Sequence, residues 1–292
     1  MILFHADDYG INCTQSKRIL SCYTGGCLNS VSLLVTSPEA SACSAMLPED
    51  ISLRLHLNFR EGVSLCDPSK IPLLVDEKGY FCRSFGELFL LSLLRRRLLK
   101  RQLKRETRRQ ILHMQELMGK EIPIRIDSHG HYHMIPLVWD ALFETCREMK
   151  VEIDELRVPA EPWGPLLKDP LLLFRAPGSG ILKNLIMHVL YAYNRMKGKH
   201  PGHFDFDRRV PVFFGMVFTT RMTRTPVKRL LPSFKRLAQA SGRDLELMFH
   251  PGGLSEKETI WDERFRDFHR SPNRRKEAMT LRFLKDGEGI AN

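Results

Sequence analysis

Two adjacent carboxylates, Asp7 and Asp8, follow a short apolar stretch near the start of the chain. Residues 2–4 have the pattern of a buried strand, and Tyr9-Gly10 predicts its end. Two carboxylates at the end of a buried strand are costly to desolvate unless a positive partner meets them, and a divalent metal ion is a common one. If the strand bends here, one Asp could bind a metal while the other acts beside it as a base. The alternative is an Asx-turn or a helix N-cap, where Asp is also common.

Histidines at the ends of other predicted strands favour the metal interpretation. His56, His129 and His250 each fall at the carboxyl end of a predicted strand, as does Asp127. Taken singly, each histidine could be a hydrogen-bonded core residue or part of a turn. Asp and His side chains gathered around one cavity suit a divalent metal ion. One carboxylate and two neutral imidazoles would leave coordination positions open for water and substrate, as catalysis requires.

The elements that position these side chains alternate between strand and helix. Apolar and polar residues alternate over 51–58 and 122–129, which is the period of a strand with one aliphatic and one polar face. The predicted strands are 2–7, 31–35, 51–58, 122–129, 155–159, 210–219 and 244–250. The predicted helices are 14–25, 86–118 as one or two, 136–149, 181–194, 226–240 and the tail from 272 onward. This order predicts an α/β fold with a largely parallel sheet. In a TIM-barrel-like (β/α) barrel, the polar faces of the strands would point toward the barrel mouth.

The net charge of +11, from 45 basic and 34 acidic residues, is partly local. Residues 95–109 contain nine Lys or Arg and one Glu. One interpretation is a solvated cationic helix face, and the other is a contact with an anionic membrane surface. No aromatic residues are interleaved with these charges, so we expect no nucleic acid partner.

The cysteines and the N-terminus bear on the compartment. Seven cysteines without paired Cys-x-x-Cys spacing suit reduced thiols better than a disulfide framework. We find no charged segment followed by an apolar one at the N-terminus, so we expect no signal peptide and a cytoplasmic location, with peripheral membrane contact as an option.

Four segments together resemble the YdjC-like carbohydrate deacetylase family, which includes the ChbG and HpnK deacetylases. They are His5-Ala6-Asp7-Asp8-Tyr9-Gly10, Leu55-His56-Leu57-Asn58, Asp127-Ser128-His129-Gly130-His131-Tyr132-His133 and Phe249-His250-Pro251-Gly252. They occur in the order of the family and span most of the chain. The Asp-Ser-His-x-His-x-His run carries most of the specificity.

The resemblance implies a TIM-barrel-like fold, irregular or seven-stranded, and metal-dependent removal of an acetyl group from an N-acetylated sugar. It implies one divalent ion, Mg²⁺ or Zn²⁺, and a role for each matching residue. Asp8, His56 and His129 would hold the ion, Asp7 would be the general base and His250 the acid, Arg157 would brace the base, and His131, His133 and Asn58 would contact substrate.

The resemblance also bears on organisation. It implies one domain over residues 1–292 and, because members are often dimers, a homodimer. Helical insertions near 83–118 and 160–208 are longer than a minimal barrel needs and could reshape the substrate cleft. An oligosaccharide, a polysaccharide or a lipid-linked sugar is therefore an open choice of substrate.

Two other functions remain open on the residues alone. Barrels with Asp and His at strand ends also hydrolyse phosphoesters or isomerise sugars, sometimes with two metals. A non-catalytic protein that binds sugar, or an anionic surface through 95–109, is the other. Two metal ions about 3.5–4 Å apart would favour phosphoester chemistry, whereas one favours deacetylation.

Overall fold

The computed structural model describes residues 1–119, 123–200 and 204–285. Seven strands and eleven α-helices alternate along these residues. The strands are β1 (Ile2–Tyr9), β2 (Ser30–Leu33), β3 (Ser52–Leu57), β4 (Ile124–Ser128), β5 (Ile153–Leu156), β6 (Val212–Phe214) and β7 (Leu245–Phe249). The helices are α1 (Cys13–Thr24), α2 (Ala40–Ser44), α3 (Phe85–Leu94), α4 (Arg96–Met118), α5 (Pro136–Met149), α6 (Trp163–Leu166), α7 (Pro170–Phe174), α8 (Gly178–Lys197), α9 (Arg224–Ser241), α10 (Arg266–His269) and α11 (Asn273–Lys285), with short 3₁₀ turns at Pro68–Lys70, His129–Met134 and Glu263–Phe265.

The seven strands form one parallel sheet in the order β5-β4-β3-β2-β1-β7-β6. The predicted α/β fold with a largely parallel, seven-stranded sheet is therefore confirmed, and the TIM-barrel-like arrangement is confirmed in part, because the barrel is not complete. In the described part of the chain β5 and β6 form the two edges and share no ladder. Arg209, just before β6, bridges the gap instead: its carbonyl accepts the Leu156 N–H at 2.9 Å, and its guanidinium donates to the Ile153 carbonyl. The sheet is thus a curled half-barrel.

Charged side chains fill the inside of the curled sheet. Arg54 contacts Glu155 and lies 3.2 Å from Glu246, and the guanidinium of Arg157 donates to Glu246 at 2.5 Å. Arg54, Glu246 and Arg157 are fully buried. A buried charge is tolerated only when a partner of opposite sign meets it, so these residues occur as one ion network. The outward aliphatic residues, such as Leu55, pack in the core with the helices. The predicted division into an aliphatic and a polar face is confirmed.

The insertion near 83–118 forms α3 and α4, and α4 packs along α5. Three cations of α4, spaced four residues apart, meet three carboxylates of α5 with the same spacing: Arg96 with Asp140, Lys100 with Glu144, and Lys104 with Glu148. Residues four apart share one helix face, so the pairs form a ladder between the two helices. Part of the positive charge of segment 95–109 is therefore paired with carboxylates of α5.

The insertion near 160–208, of which residues 201–203 lie outside the described residues, forms α6, α7 and α8. At Gly180, near the start of α8, a Cβ atom would lie 2.1 Å from the carbonyl oxygen of Val217. Only glycine permits this approach. It seats α8 against the segment that follows β6, on the side of the sheet where the strands end.

In the described residues, no helix combines the length and the apolarity needed to cross a bilayer.

Candidate active site

The two carboxylates of the first strand reach the same site because the strand bulges. The register of β1 against β2 shifts between Ala6 and Tyr9, and Asp8 takes a left-handed φ of 66°. Such a conformation costs a non-glycine residue of order 1–3 kcal/mol, and it is found where a site demands it. Because of the bulge, the side chains of Asp7 and Asp8 both lie at the carboxyl edge of the sheet.

Asp8, His56 and His129 bring three donor atoms together. The Oδ1 atom of Asp8 lies 3.6 Å from Nε2 of His56 and 3.0 Å from Nδ1 of His129. The three side chains are buried, and one ligand atom from each lies within 4.8 Å of the others. Asp8 Oδ1 and His56 Nε2 have no hydrogen-bond partner among the described residues. Buried polar atoms are rarely left without a partner, so these two atoms call for an additional group between them.

A carboxylate fixes the far ring nitrogen of each histidine. His56 Nδ1 lies 2.6 Å from Asp127 Oδ1, and His129 Nε2 lies 2.9 Å from Glu61 Oε2. A carboxylate accepts the proton of the nitrogen it faces, so the opposite nitrogen is left with a lone pair. When a bound cation displaces the second proton of each ring, both lone pairs point toward Asp8. This carboxylate–histidine arrangement is typical of metal ligands.

The electrostatics of this cluster favour a cation. Burial lowers the pKa of His56, but the Asp127 carboxylate outweighs it and raises that pKa to about 10. Burial raises the pKa of Asp8, yet Arg274, whose Nη2 lies 2.6 Å from Oδ2, and the neighbouring histidines hold it well below its usual range. Asp8 is therefore ionised, with Oδ2 on Arg274 and Oδ1 facing the histidines. One carboxylate oxygen and two imidazole nitrogens fit a divalent transition-metal ion.

A second cluster, His5, Asp7 and Asp127, also has the composition of a metal site. Its negative charge is already met, because Arg157 lies 2.8 Å from Asp7 and 2.9 Å from Asp127. His5 Nε2 lies 2.7 Å from the hydroxyl of Ser32. The guanidinium fills the role of a second cation here, which favours one metal site in the cluster around Asp8.

Asp7 is held rigidly as a carboxylate. Two Arg157 nitrogens donate to its two oxygens at 2.8 and 2.9 Å, a bidentate pair that fixes the plane of the carboxylate. Burial raises the pKa of Asp7, but Arg157 and then His5 outweigh it and hold the pKa well below its usual range. Asp7 lines the main cavity. It is therefore an ionised, oriented acceptor facing the space a substrate would enter.

His250 lies across from Asp7, with Nε2 3.9 Å from Asp7 Oδ2. Its backbone N–H donates to Glu277, and its ring Nδ1 has no hydrogen-bond partner in the part of the chain that the structure describes. Burial lowers the pKa of His250 to about 4, although the Asp8 and Asp7 carboxylates oppose the shift. The imidazole is therefore neutral near pH 7 and can accept a proton before it donates one.

We expect His250 to stay neutral in the folded protein from pH 5.5 to 8. A ¹⁵N NMR titration of the imidazole, assigned with a His250→Asn variant, should give one neutral form over this range. In denaturant the same ring should titrate near the ordinary value of about 6.5. Because the unfolded chain binds this proton first, protonation costs stability as pH falls from about 6.5 toward about 4. A folded-state midpoint near 6.5 would contradict the burial account.

A cavity of about 820 Å³ opens over these residues. Asp7, His129, His131 and His250 form part of its floor, the start of α3 lines one wall, and α8 lines another. This volume lies in the range of small-molecule sites. Both insertions therefore border the cavity.

The three residues expected to contact substrate lie in different places. His131 lines the cavity, with φ at 62°, and its Nδ1 has no hydrogen bond to any residue within 1–119, 123–200 and 204–285. His133 is buried, its ring nitrogens 2.5 Å from the Ser128 hydroxyl and 2.8 Å from the Arg157 carbonyl. Asn58 is also buried, and its side chain bonds Thr36 and the backbone of residues 60 and 61. His131 is therefore open to a ligand, whereas the polar atoms of the other two already have protein partners.

Three residues of this site were not predicted from the sequence. Glu61 bonds His129 and, through its other oxygen, His269 at 2.5 Å. Arg274 bonds Asp8. His269 and Arg274 come from the C-terminal helices, more than 200 residues from Asp8 and Glu61 in sequence, and no local pattern signals such a contact. Asp127 belongs to the Asp-Ser-His-x-His-x-His segment, but that pattern does not predict its hydrogen bond to His56.

The match to known families agrees with this geometry. A family model described as YdjC-like protein matches residues 1–286. The chain belongs to the YdjC-like family. The resemblance drawn from the four segments is thereby confirmed.

Several curated relatives of this YdjC-like chain are named as deacetylases. A carbohydrate deacetylase of Thermoanaerobacter pseudethanolicus is 34% identical over 86 residues, or 29% of this chain and 34% of the relative. A carbohydrate deacetylase of Danio rerio is 27% identical over 53% of this chain and 49% of its own length. A chitooligosaccharide deacetylase of Serratia marcescens is 27% identical over 48% of this chain and 53% of its own length. The matched segments thus span about a third to a half of these relatives.

One solved structure shares the fold over nearly the full length. It is a protein of Enterococcus faecalis V583 described as a cellobiose-phosphate cleavage protein, and its TM-score is 0.63 at 16% identity. The match covers 96% of this chain and 90% of that one. It supports the fold alone.

Proposed function

We propose that this chain hydrolyses the acetamide of an N-acetylated carbohydrate, with one divalent metal ion held by Asp8, His56 and His129. The observation that carries the proposal is the pair of buried atoms without hydrogen bonds, Asp8 Oδ1 and His56 Nε2, beside Nδ1 of His129. The names of the curated relatives support the substrate class. The carbohydrate would enter the cavity over these residues.

The donor set bears on which ion is bound. Imidazole suits Zn²⁺ and similar ions, whereas Mg²⁺ prefers oxygen ligands and retained water. Of the two expected ions, the two histidines favour Zn²⁺. When bound, the ion supplies Lewis acidity toward the acetamide oxygen and lowers the pKa of a bound water.

Asp7 is suited to be the base. Its carboxylate is ionised and lines the cavity, and Arg157 fixes both of its oxygens. It would accept a proton from the water that attacks the acetamide carbon. Arg157 acts through Asp7, because its contacts are to buried carboxylates. It is a positioning residue in this proposal.

His250 is suited to return the proton to the leaving group. Because its imidazole is neutral at rest, it must first gain a proton, and the nearest proton-bearing group after attack is Asp7, 3.9 Å away. As the C–N bond breaks, the proton would pass from His250 to the sugar nitrogen, releasing acetate and a free amine. His131, which also lines the cavity, is the candidate for a contact to the sugar.

One observation weighs against two-metal phosphoester chemistry. The second cluster already holds the Arg157 guanidinium between Asp7 and Asp127. We therefore keep deacetylation as the one proposal for this site.

The other expectations stay predictions. They are the single domain over 1–292, the homodimer, the cytoplasmic location, the membrane contact through 95–109, and the substrate contacts of His133 and Asn58. The choice among an oligosaccharide, a polysaccharide and a lipid-linked sugar is decided by assay.

The direct test is acetate release from a panel of N-acetylated sugars, with Zn²⁺, Mg²⁺, Mn²⁺ or Co²⁺ added back to chelated protein. We expect release that depends on metal and is lost in Asp8→Ala, because that carboxylate is one of the three ligands. Asp207→Ala, a change at the surface, is the matched control and should keep full activity. Release of phosphate from sugar phosphates, with no acetate from any sugar, would overturn the proposal.

A further inference from the structure

Helix α8 carries two apolar faces. One is buried and includes Met187 and Leu190. The other is exposed and contains six large apolar side chains, each 40–76% exposed. We call these six residues the α8 surface: Leu182, Leu185, Ile186, Val189, Tyr193 and Met196. An exposed apolar helix face of this size is typical of an interaction surface.

The α8 surface is continuous with the wall of the cavity. Ile186 belongs to both, and Lys183 and Met187 line the cavity beside it. Helix α3 also contributes Phe85 and Glu87 to the lining and exposes Leu90, Leu93 and Leu94 further along. Apolar side chains are therefore exposed on helices at two walls of the cavity. Whatever covers them lies at the mouth of the site.

The segment that carries the α8 surface has an excess of positive charge. Residues 163–200 contain six Lys or Arg and one acidic residue, Asp169. Asp169 is already paired with Arg229 at 2.7 Å. The six cations are Lys168, Arg175, Lys183, Arg195, Lys197 and Lys199. An apolar helix face with cations around it is the pattern of a helix that lies on an anionic bilayer.

A second copy of the chain is the competing occupant. In a two-fold dimer the same patch would face itself, so the cations of one copy would meet the cations of the other. Like charges brought together across an interface disfavour the contact. An anionic lipid surface instead supplies both an apolar layer for the leucines and negative charge for the lysines.

We propose that the α8 surface docks this protein onto an anionic bilayer, with the mouth of the cavity toward the membrane. Segment 95–109 is less suited to this contact, because part of its charge is paired with α5. The benefit of the contact, access to sugars at the membrane surface, rests on the proposed function. Binding to the bilayer does not depend on the proposed function.

Vesicle sedimentation tests the proposal. The full chain is mixed with vesicles of phosphatidylcholine, or of phosphatidylcholine with phosphatidylglycerol, at low and at high salt. We expect binding to the anionic vesicles that weakens with salt. Leu185→Glu and Val189→Glu should each weaken it at least about tenfold, because each removes a buried aliphatic contact and adds a repelled charge. Met279→Glu, at an exposed apolar residue of α11, is the matched control and should bind as the wild type does.

Two further readouts separate the possible outcomes. Hydrolysis of a water-soluble N-acetylated sugar should be equal in the wild type and both α8 variants, since neither residue lines the cavity. Loss of hydrolysis in all proteins, with vesicle binding as expected, would reject the proposed function and leave the docking surface standing. Absence of binding to anionic vesicles, or equal binding by Val189→Glu, would overturn the docking surface. The docking surface would also be overturned if light scattering showed a wild-type dimer that the Val189→Glu substitution converts to a monomer.

Discussion

Replacing Asp7 with asparagine should lower kcat for sugar deacetylation by about 10²–10⁴-fold, the usual contribution of a general base. The amide keeps the size of the side chain and one of the two acceptors for Arg157, but it cannot accept the water proton. Because Asp7 lies outside the group formed by Asp8, His56 and His129, metal affinity should change little. The effect belongs in kcat, with the substrate KM nearly unchanged.

The comparison needs metal affinity and kcat from the same preparation. A chelator competition titration gives the first, and acetate release gives the second. Asp154→Asn, which alters a surface ion pair with Arg125, is the matched control and should leave both unchanged. An Asp7→Asn protein with wild-type kcat would show that the base lies elsewhere.

Replacing Arg157 with methionine should destabilise the fold by about 3–5 kcal/mol, the cost of removing one partner from a buried ion network. Arg157 contacts three buried carboxylates, those of Asp7, Asp127 and Glu246, and all three would lose this cation. For a chain of this size the loss corresponds to a fall in Tm of roughly 5–8 °C. Activity should fall as well, because Asp7 would lose its orientation.

The pH dependence separates this explanation from simple loss of packing. In the wild type, Arg157 holds the pKa values of Asp7 and Asp127 below their ordinary range, although burial opposes it. Folded-state pKa values that are lowered give stability that is present above the unfolded pKa and lost as pH falls. The stability difference between wild type and Arg157→Met should therefore shrink as pH falls below about 4, the ordinary carboxyl pKa. A difference that is constant with pH would contradict the charge account, and the surface control Arg125→Met should cost no more than about 1 kcal/mol.

The sequence predicted the parts of this fold that short patterns encode. The period of two in 51–58 located β3, found at Ser52–Leu57, and the strand expected at 122–129 is Ile124–Ser128, residue 122 lying outside the described residues. Because parallel strands present their carboxyl ends at one edge, side chains at those ends could be expected to meet. The structure brings Asp8, His56 and His129 together there.

Other features depend on contacts that no short pattern encodes. The strand expected at 210–219 is only Val212–Phe214, because Gly215 takes a φ of 142° and the buried carboxylate of Glu161 accepts the Val217 N–H in place of a neighbouring strand. The barrel stays incomplete because the segment around Arg209 bonds β5 at the position where a further strand would close the barrel. The acidic residues of α5 that neutralise part of 95–109 can be paired with it only once the two helices are known to be neighbours.

We propose that Asp8, His56 and His129 hold one divalent ion that the reaction needs. Metal content per chain, measured by mass spectrometry after chelation and refilling with Zn²⁺, tests it most directly when acetate release is followed on the same samples. The account predicts one ion per wild-type chain, with metal and activity lost together in Asp8→Ala and in His129→Ala. Two ions per chain, or full acetate release from protein without bound metal, would contradict it.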